Sequence, residues 1–559
     1  MTELELQGEY VMDFFCRRNA GLGYREVKNN AVTPDLFIPA DLREFLKSNS
    51  SKAWSNLLHK AEYAGDEQKL LRDIMDDLRH KIEASANVAI FLNSTTKNKP
   101  YSFGGETLKL LFVSGSELRG DEDFEKNIFS AVEEITYSFH HEGKRVFAFR
   151  PDLSFFVNGI FLGYAELKSN FTNQTARTNG RNKVITDYLE AVWEYTKIAN
   201  GNDVQQTLRR VMLRPFEKSI HLVTTDINDT FVLRNPGQFF DEAKKGFQEG
   251  LISISSYRPI VEKVFKPLPT IAGDEATPRE RFEESMRSLY SKKMIEKEIL
   301  YYNFMAYTYK TVTVTENGRK VQKKEYKDKT GRLISPRPKQ KFGCDRIIER
   351  VGEFLAHESE PNYFIEKLRS ELTALSAPQD IIERAIAERE SYCNNKYVYS
   401  LLLQYAAGFG KSNIIGWTAL QLKDLRYNGE WVYDKILLVV DRLQLRDQLD
   451  SMMLNMNIDK AMFVEASDQD TFVKALSDKR RIIVVNIQKF WELKNAIEKA
   501  GKDFKQMRVA FLIDEVHRSN TDDVHQEMFS AFDEIQDIFD EDGGFITRGS
   551  KKKNLIVGF

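Results

Sequence analysis

Cysteine is scarce in this 559-residue sequence: Cys16, Cys344 and Cys393 stand far apart, with no CxxC spacing. That scarcity argues against a disulfide framework or a zinc site and fits a reducing compartment. Charge of one sign is lacking too, since 81 basic residues face 83 acidic ones and leave a formal net charge of −2. No global basic field advertises nucleic acid, so any such surface must be local. No apolar run approaches the ~18–20 residues of a membrane span. The N-terminus, MTELELQGEYVMDFF, is acidic and lacks a basic n-region with an apolar run, so it does not read as a secretory signal. There is no internal repeat. The expectation is a cytoplasmic, soluble chain without a membrane partner.

With 42% hydrophobic and 29% charged residues, the chain has the composition of an ordinary globular protein. It is too long for one core and should hold about three domains. Residues 1 to about 90 read mostly as helix, with amphipathic spacing in Tyr10–Cys16 and Lys69–Ile82. From Thr107 to about Thr225, the β-rich runs LKLLFV, RVFAFR, LSFFV, IFLGYAELK and IHLVTT alternate with helical ones, a mixed α/β pattern. A Pro-containing connector, a charged helix and a hairpin around Asn317-Gly318 with a basic second strand follow. From Pro336 onward, the runs VYSLLLQY, KILLVV, RIIVVNI and VAFLID are short, continuous and β-branched. Parallel strands covered on both faces have that character. The polar segment 521–551, acidic and then basic, reads as a surface insertion.

Two segments carry the chemistry of a nucleotide site. A strand runs into Gly408-Phe409-Gly410-Lys411-Ser412 and a helical pattern follows. Glycines let such a loop turn its N–H groups toward phosphate oxygens, Lys411 reaches the β/γ-phosphates of ATP, and Ser412 can hold magnesium. Tyr405 stands where the strict GxxxxGK[ST] pattern has its first glycine, so the match is to the looser form common in helicase-type motors. About 100 residues later, VAFLID leads into Asp514-Glu515-Val516-His517. Asp514 at a strand end can hold the magnesium, and Glu515 is placed to polarise the attacking water.

A third segment, FRPDLSFFVNGIFLGYAELKSN, holds Asp152 and then Glu166 and Lys168, a PD…ExK arrangement with thirteen residues between the carboxylates. Carboxylates on adjacent strands can share a divalent metal, and Lys168 can orient the attacking water. Asn158-Gly159 predicts a type I′ hairpin turn that pairs residue 152 with 165. In that register Asp152 points away from Glu166 and Lys168, so the reading requires a one-residue bulge, with Gly163 the expected place.

These segments together resemble the restriction (R) subunits of Type I restriction–modification systems. RPDxxxFVNGxxLxxxELK is nearly word for word their nuclease segment. Asp441, Arg442, Leu445 and Gln448 match their VDRxxLxxQ segment, and Ile487, Gln488, Lys489 and Phe490 their IQKF segment, with Asn486 in place of threonine. Gln340, in PRPKQKFGCDRIIERV, resembles an adenine-recognising glutamine about 70 residues ahead of the P-loop. The resemblance implies a PD-(D/E)xK endonuclease domain over 1–260, a mixed sheet with flanking helices. A connector over 261–335 leads to a RecA-like, parallel-sheet motor domain of superfamily 2 type over 336–559. It implies ATP and Mg2+ as cofactors, double-stranded DNA as substrate, and methyltransferase (M) and specificity (S) subunits as partners. The site residues it implies are Asp152, Glu166 and Lys168, with Asp152 and Glu166 on the metal. Glu9 is the best match to an N-terminal catalytic glutamate. Gly408, Phe409, Gly410, Lys411, Ser412 and Asp514 would hold nucleotide and magnesium. The family's Gln-xxx-Tyr element is altered, because Tyr188 fits while Val184 stands at the glutamine position, leaving Lys183 or Gln174 as substitutes. The basic stretch 319–346 is either a DNA-contact surface or a solvated hairpin. Because the family continues beyond NLIVGF into a second RecA-like domain, the chain is expected to bind ATP weakly, hydrolyse it poorly and not translocate. A helicase without nuclease activity and a non-catalytic assembly fragment are the alternative readings.

Overall fold

The aromatic and β-branched runs of the N-terminal half build a seven-stranded sheet in the computed structural model. The structure describes residues 11–17, 21–97, 99–114, 116–117, 124–141, 144–168, 173–183, 187, 214–226, 228–248, 254–269, 276–316, 319–327, 331–357, 360–394, 398–406, 408–440, 455–456, 463–465, 469–486, 504, 507–515, 535–539, 545–550 and 554–559. The chain divides into two units. The first comprises 1–114, 120–305 and 333–339, the second 115–119, 306–332 and 340–559.

In the first unit the strands are β1 (Arg25–Val27), β2 (Phe129–Glu133), β3 (Leu153–Val157), β4 (Ile160–Leu167), β5 (His221–Thr225), β6 (Thr230–Leu233) and β7 (Phe265–Pro267), arranged side by side in sequence order. The sheet is mixed: β1 with β2 and β4 with β5 are parallel, and the other neighbours antiparallel. Both faces are covered, and every residue of β3 to β6 is buried rather than every second one. One face packs Leu153, Phe155 and Val157 with the helices Pro39–Asn49, Ser51–Leu58, Glu67–Ala84 and Pro278–Tyr290. The last of these starts at a capping box between Thr277 and Glu280 and lays Tyr290 against Phe155, ring centroids 3.9 Å apart. The other face packs Phe156, Phe161, Tyr164 and Phe216.

The run Leu108–Val113 forms no strand among the described residues, contrary to its β-rich composition. The Leu108 N–H donates to the Tyr101 carbonyl, and further along side chains are the partners: Asn127 accepts from the Phe112 N–H and donates to its carbonyl, and Asn158 donates to the Leu110 carbonyl. Asparagine amides here do the work of a neighbouring strand.

The second unit holds a six-stranded, all-parallel sheet of β8 (Val398–Leu402), β9 (Lys435–Val440), β10 (Phe463–Glu465), β11 (Ile482–Asn486), β12 (Val509–Ile513) and β13 (Asn554–Gly558). Their order in the sheet is β8-β13-β12-β9-β11-β10. The helix Lys411–Asp424 follows β8. The strands Tyr309–Glu316 and Arg319–Tyr326 pair antiparallel with Glu316 opposite Arg319, and the turn residues between them lie outside the described residues. Within the polar segment between β12 and β13, Ile535–Phe539 and Phe545–Ser550 form a second antiparallel pair. Among the described residues no helix is long and apolar enough to cross a membrane.

Candidate nuclease and nucleotide sites

The turn between β3 and β4 has φ of +49° at Asn158 and +80° at Gly159, the two left-handed residues of a type I′ turn. It is buried and held by its own side chain. Asn158 Oδ1 accepts from the Ile128 N–H at 2.7 Å, and Nδ2 donates to Asn127 Oδ1 at 2.9 Å. From there Val157 pairs with Ile160 and Phe156 with Phe161, but Phe155 pairs with Gly163, so Leu162 is an extra residue. The bulge lies beside Gly163, where the sequence placed it. Core packing records the same slip: Phe161 and Tyr164, three apart, face one core, while Leu162 and Ala165 face the other. In an unbroken strand, residues three apart point to opposite faces. Gly163 is required for a further reason: a Cβ there would meet the His221 carbonyl oxygen of β5 at 2.3 Å.

Beyond the bulge Leu153 pairs with Ala165, which sets Asp152 opposite Glu166. Asp152 Oδ2 accepts the Leu167 N–H at 2.7 Å. Lys168 Nζ donates to Glu166 Oε1 at 2.6 Å and to the Leu167 carbonyl at 3.0 Å. Lys183 Nζ reaches the same Oε1 at 2.5 Å and the Arg150 carbonyl at 3.3 Å. Lys183 is delivered by a helical segment that begins at Ala176, capped by the Thr175 side chain. Gly180 allows its close approach, since a Cβ there would overlap Thr224 Oγ1 of β5. Of the two substitutes the sequence offers for the altered element, Lys183 is therefore the one bonded to Glu166.

Glu166 is buried, and among the described residues its Oε2 has no hydrogen-bond partner. Burial first, and the neighbouring Glu166 charge second, push the Asp152 carboxyl up to about 7, against the pull of Lys183 and Lys168. An unsatisfied buried carboxylate oxygen beside a second carboxyl that resists ionisation is a donor set fitted to a hard divalent cation. Among the described residues no group of three or more His, Cys, Asp or Glu side chains could hold a metal. Glu9, Val184 and Tyr188 lie outside the described residues.

In the second unit, Gly408 and Gly410 have φ of +74° and +88°, and Gly410 caps the helix that starts at Lys411. Tyr405 and Phe409 stack, with centroids 4.9 Å apart and planes at 7°. The helix Pro338–Ala356 closes one side: Gln340 Nε2 donates to the Phe409 carbonyl at 2.6 Å. One turn on, a Cβ at Gly343 would strike Tyr405 Oη at 1.8 Å. Nothing in the sequence marks Gly343 beyond its place three residues after Gln340. Lys411 Nζ bonds Glu515 Oε1 at 2.7 Å, so the P-loop and the end of β12 meet. Glu515 has a left-handed φ of +52°, and the buried Asp514 donates its N–H to the Val439 carbonyl. Ser412 lies in the first turn of the same helix. His517, Arg518, Asp441, Arg442, Leu445, Gln448, Ile487, Gln488, Lys489 and Phe490 fall outside the described residues.

The chain thus joins a mixed α/β unit bearing a carboxylate–lysine cluster to a parallel-sheet unit bearing a P-loop. Comparison with known families narrows that description. Residues 2–207 match the family described as Type I restriction enzyme R protein N terminus, and residues 385–539 match the SWI2/SNF2 ATPase family. Together the two matches are those of the R subunits of Type I restriction enzymes. No curated protein matches the chain.

Proposed function

We propose that the first unit is a PD-(D/E)xK nuclease cutting double-stranded DNA, and that the second is the first RecA-like half of an ATP-driven translocase of superfamily 2 type. The observation that carries the nuclease reading is the bulge at Leu162, which sets Asp152 opposite Glu166 and beside Lys168. Asp152 and the unpartnered Glu166 Oε2 would hold Mg2+, which supplies charge neutralisation at the scissile phosphate and a more acidic bound water. Lys168 is held by the Leu167 carbonyl where its ammonium can orient that water. Glu9 remains part of the proposal as an N-terminal acidic residue.

In the second unit Lys411 would bind the β/γ-phosphates, Ser412 and Asp514 would hold Mg2+, and Glu515 would align the attacking water. Gln340, bonded to the P-loop at Phe409, reads the adenine. Type I R subunits act with M and S subunits and DNA, and this reading assigns sequence recognition to those partners. The test is magnesium-dependent nicking of supercoiled plasmid by the wild-type chain against Asp152→Ala. Loss of nicking in the variant is expected. Equal nicking by both would leave an ATPase without this nuclease.

A further inference from the structure

Two ammonium groups converge on one carboxylate oxygen, and their attachments differ. Lys168 Nζ, 2.6 Å from Glu166 Oε1, is buried within the sheet and also bonds the Leu167 carbonyl at 3.0 Å. Lys183 Nζ, 2.5 Å from the same oxygen, comes from the overlying helical segment, and its side chain is 29% exposed. Its second bond, to the Arg150 carbonyl, is long at 3.3 Å. Both cations crowd Oε1, while Oε2 is buried with no partner among the described residues. Asp152, Glu166, Lys168 and Lys183 thus make a cluster of two carboxyl and two ammonium groups. A divalent cation entering such a cluster meets two like charges at close range. Lys168 is fixed by the strand, whereas Lys183 has solvent on one side and the weaker second anchor.

We propose that Lys183 is an exchangeable counter-ion of the nuclease site: it holds Glu166 in the metal-free protein and releases Oε1 when a divalent cation is taken up. This rests on the metal-dependent reading above. Lys183 then sets the metal concentration at which the site loads, and once released it is placed at the solvent edge, where a nucleic-acid phosphate can replace Glu166 as its partner. Lys183 is a positioning residue in this scheme, acting through Glu166.

The test is direct binding of Mn2+ to the full chain without DNA, followed by calorimetry. Lys183→Gln, which removes the charge and keeps a hydrogen-bonding side chain, is expected to bind Mn2+ about tenfold more tightly than wild type, the size of one screened charge contact. Lys183→Arg is expected to restore the weaker wild-type affinity. Unchanged or weaker binding by Lys183→Gln would overturn the proposal, because a merely structural lysine would leave the site no better for metal. A second readout needs no variant: acetylation of Lys183 in the wild-type chain, followed by mass spectrometry, should rise when Ca2+ is added, and a flat response would also overturn it. Asp152→Asn separates the two ideas. Mn2+ binding that depends on Asp152 but ignores position 183 defeats only the counter-ion proposal; no Asp152-dependent binding in any variant defeats the metal reading with it.

Discussion

Asp152 accepts the backbone N–H of Leu167 at 2.7 Å, across from a strand whose register has slipped by one residue at Leu162. That slip puts Asp152 and Glu166 on one face of the sheet. In regular pairing the hairpin from Asn158-Gly159 would place them on opposite faces.

The first prediction concerns pH. The Asp152 carboxyl titrates at about 7 in the folded chain against an ordinary 3.8, chiefly through burial. A raised carboxyl favours the folded state while protonated, so its contribution is complete below about pH 4 and is lost as pH rises through about 7. Asp152→Asn should therefore raise the melting temperature in EDTA at pH 8 by more than it does at pH 4. Divalent binding, which competes with that proton, should tighten between pH 6 and pH 8. Thermal melts and Mn2+ titrations at both pH values check the two statements.

Gly163→Ala should destabilise the first unit by about 1–3 kcal/mol, the cost of forcing an atom into a packed interior. The added Cβ would lie 2.3 Å from the His221 carbonyl oxygen, a backbone atom that cannot swing aside as a flexible side chain would. Denaturant titration reads the loss. Asn158→Ala should also cost about 1–3 kcal/mol, because it strands the part-buried Ile128 N–H and the buried Leu110 carbonyl.

Gly343→Ala tests whether the helix Pro338–Ala356 shapes the nucleotide loop. The methyl group displaces Tyr405, and Phe409 is stacked on it. Weaker binding of a fluorescent ATP analogue, with the far-ultraviolet circular dichroism unchanged, is the expected result.

Lys411→Ala should reduce analogue affinity at least tenfold. Glu515→Gln should keep or improve it, since Glu515 competes with phosphate for the Lys411 ammonium across 2.7 Å. Equilibrium titration of the two variants side by side distinguishes the roles.

Much of this was legible in the sequence for identifiable reasons. The parallel strands of the second unit are short β-branched runs because both their faces are buried, and Gly408–Ser412 and Asp514-Glu515 sit at strand ends that pattern alone locates. The hairpin turn was legible because only residues tolerant of positive φ fit it. The bulge could be demanded by chemistry at Gly163, but its extra residue is Leu162, a choice fixed by the approach of β5. Lys183 could be named only as one of two substitutes, because its contact with Glu166 depends on how closely Gly180 lets a helix approach Thr224. Leu108–Val113 was misread as a strand, since composition cannot show that asparagine side chains will serve as its partners. Gly343 carries its meaning entirely in a tertiary contact with Tyr405.

The central claim is that Asp152 and Glu166 jointly hold a divalent cation, and anomalous diffraction from crystals soaked in Mn2+ at pH 8 tests it most directly. The account predicts an anomalous peak bonded to Asp152 and Glu166, lost in Asp152→Asn crystals. A peak elsewhere in the first unit, or none in the wild type with the two carboxylates intact, would contradict it.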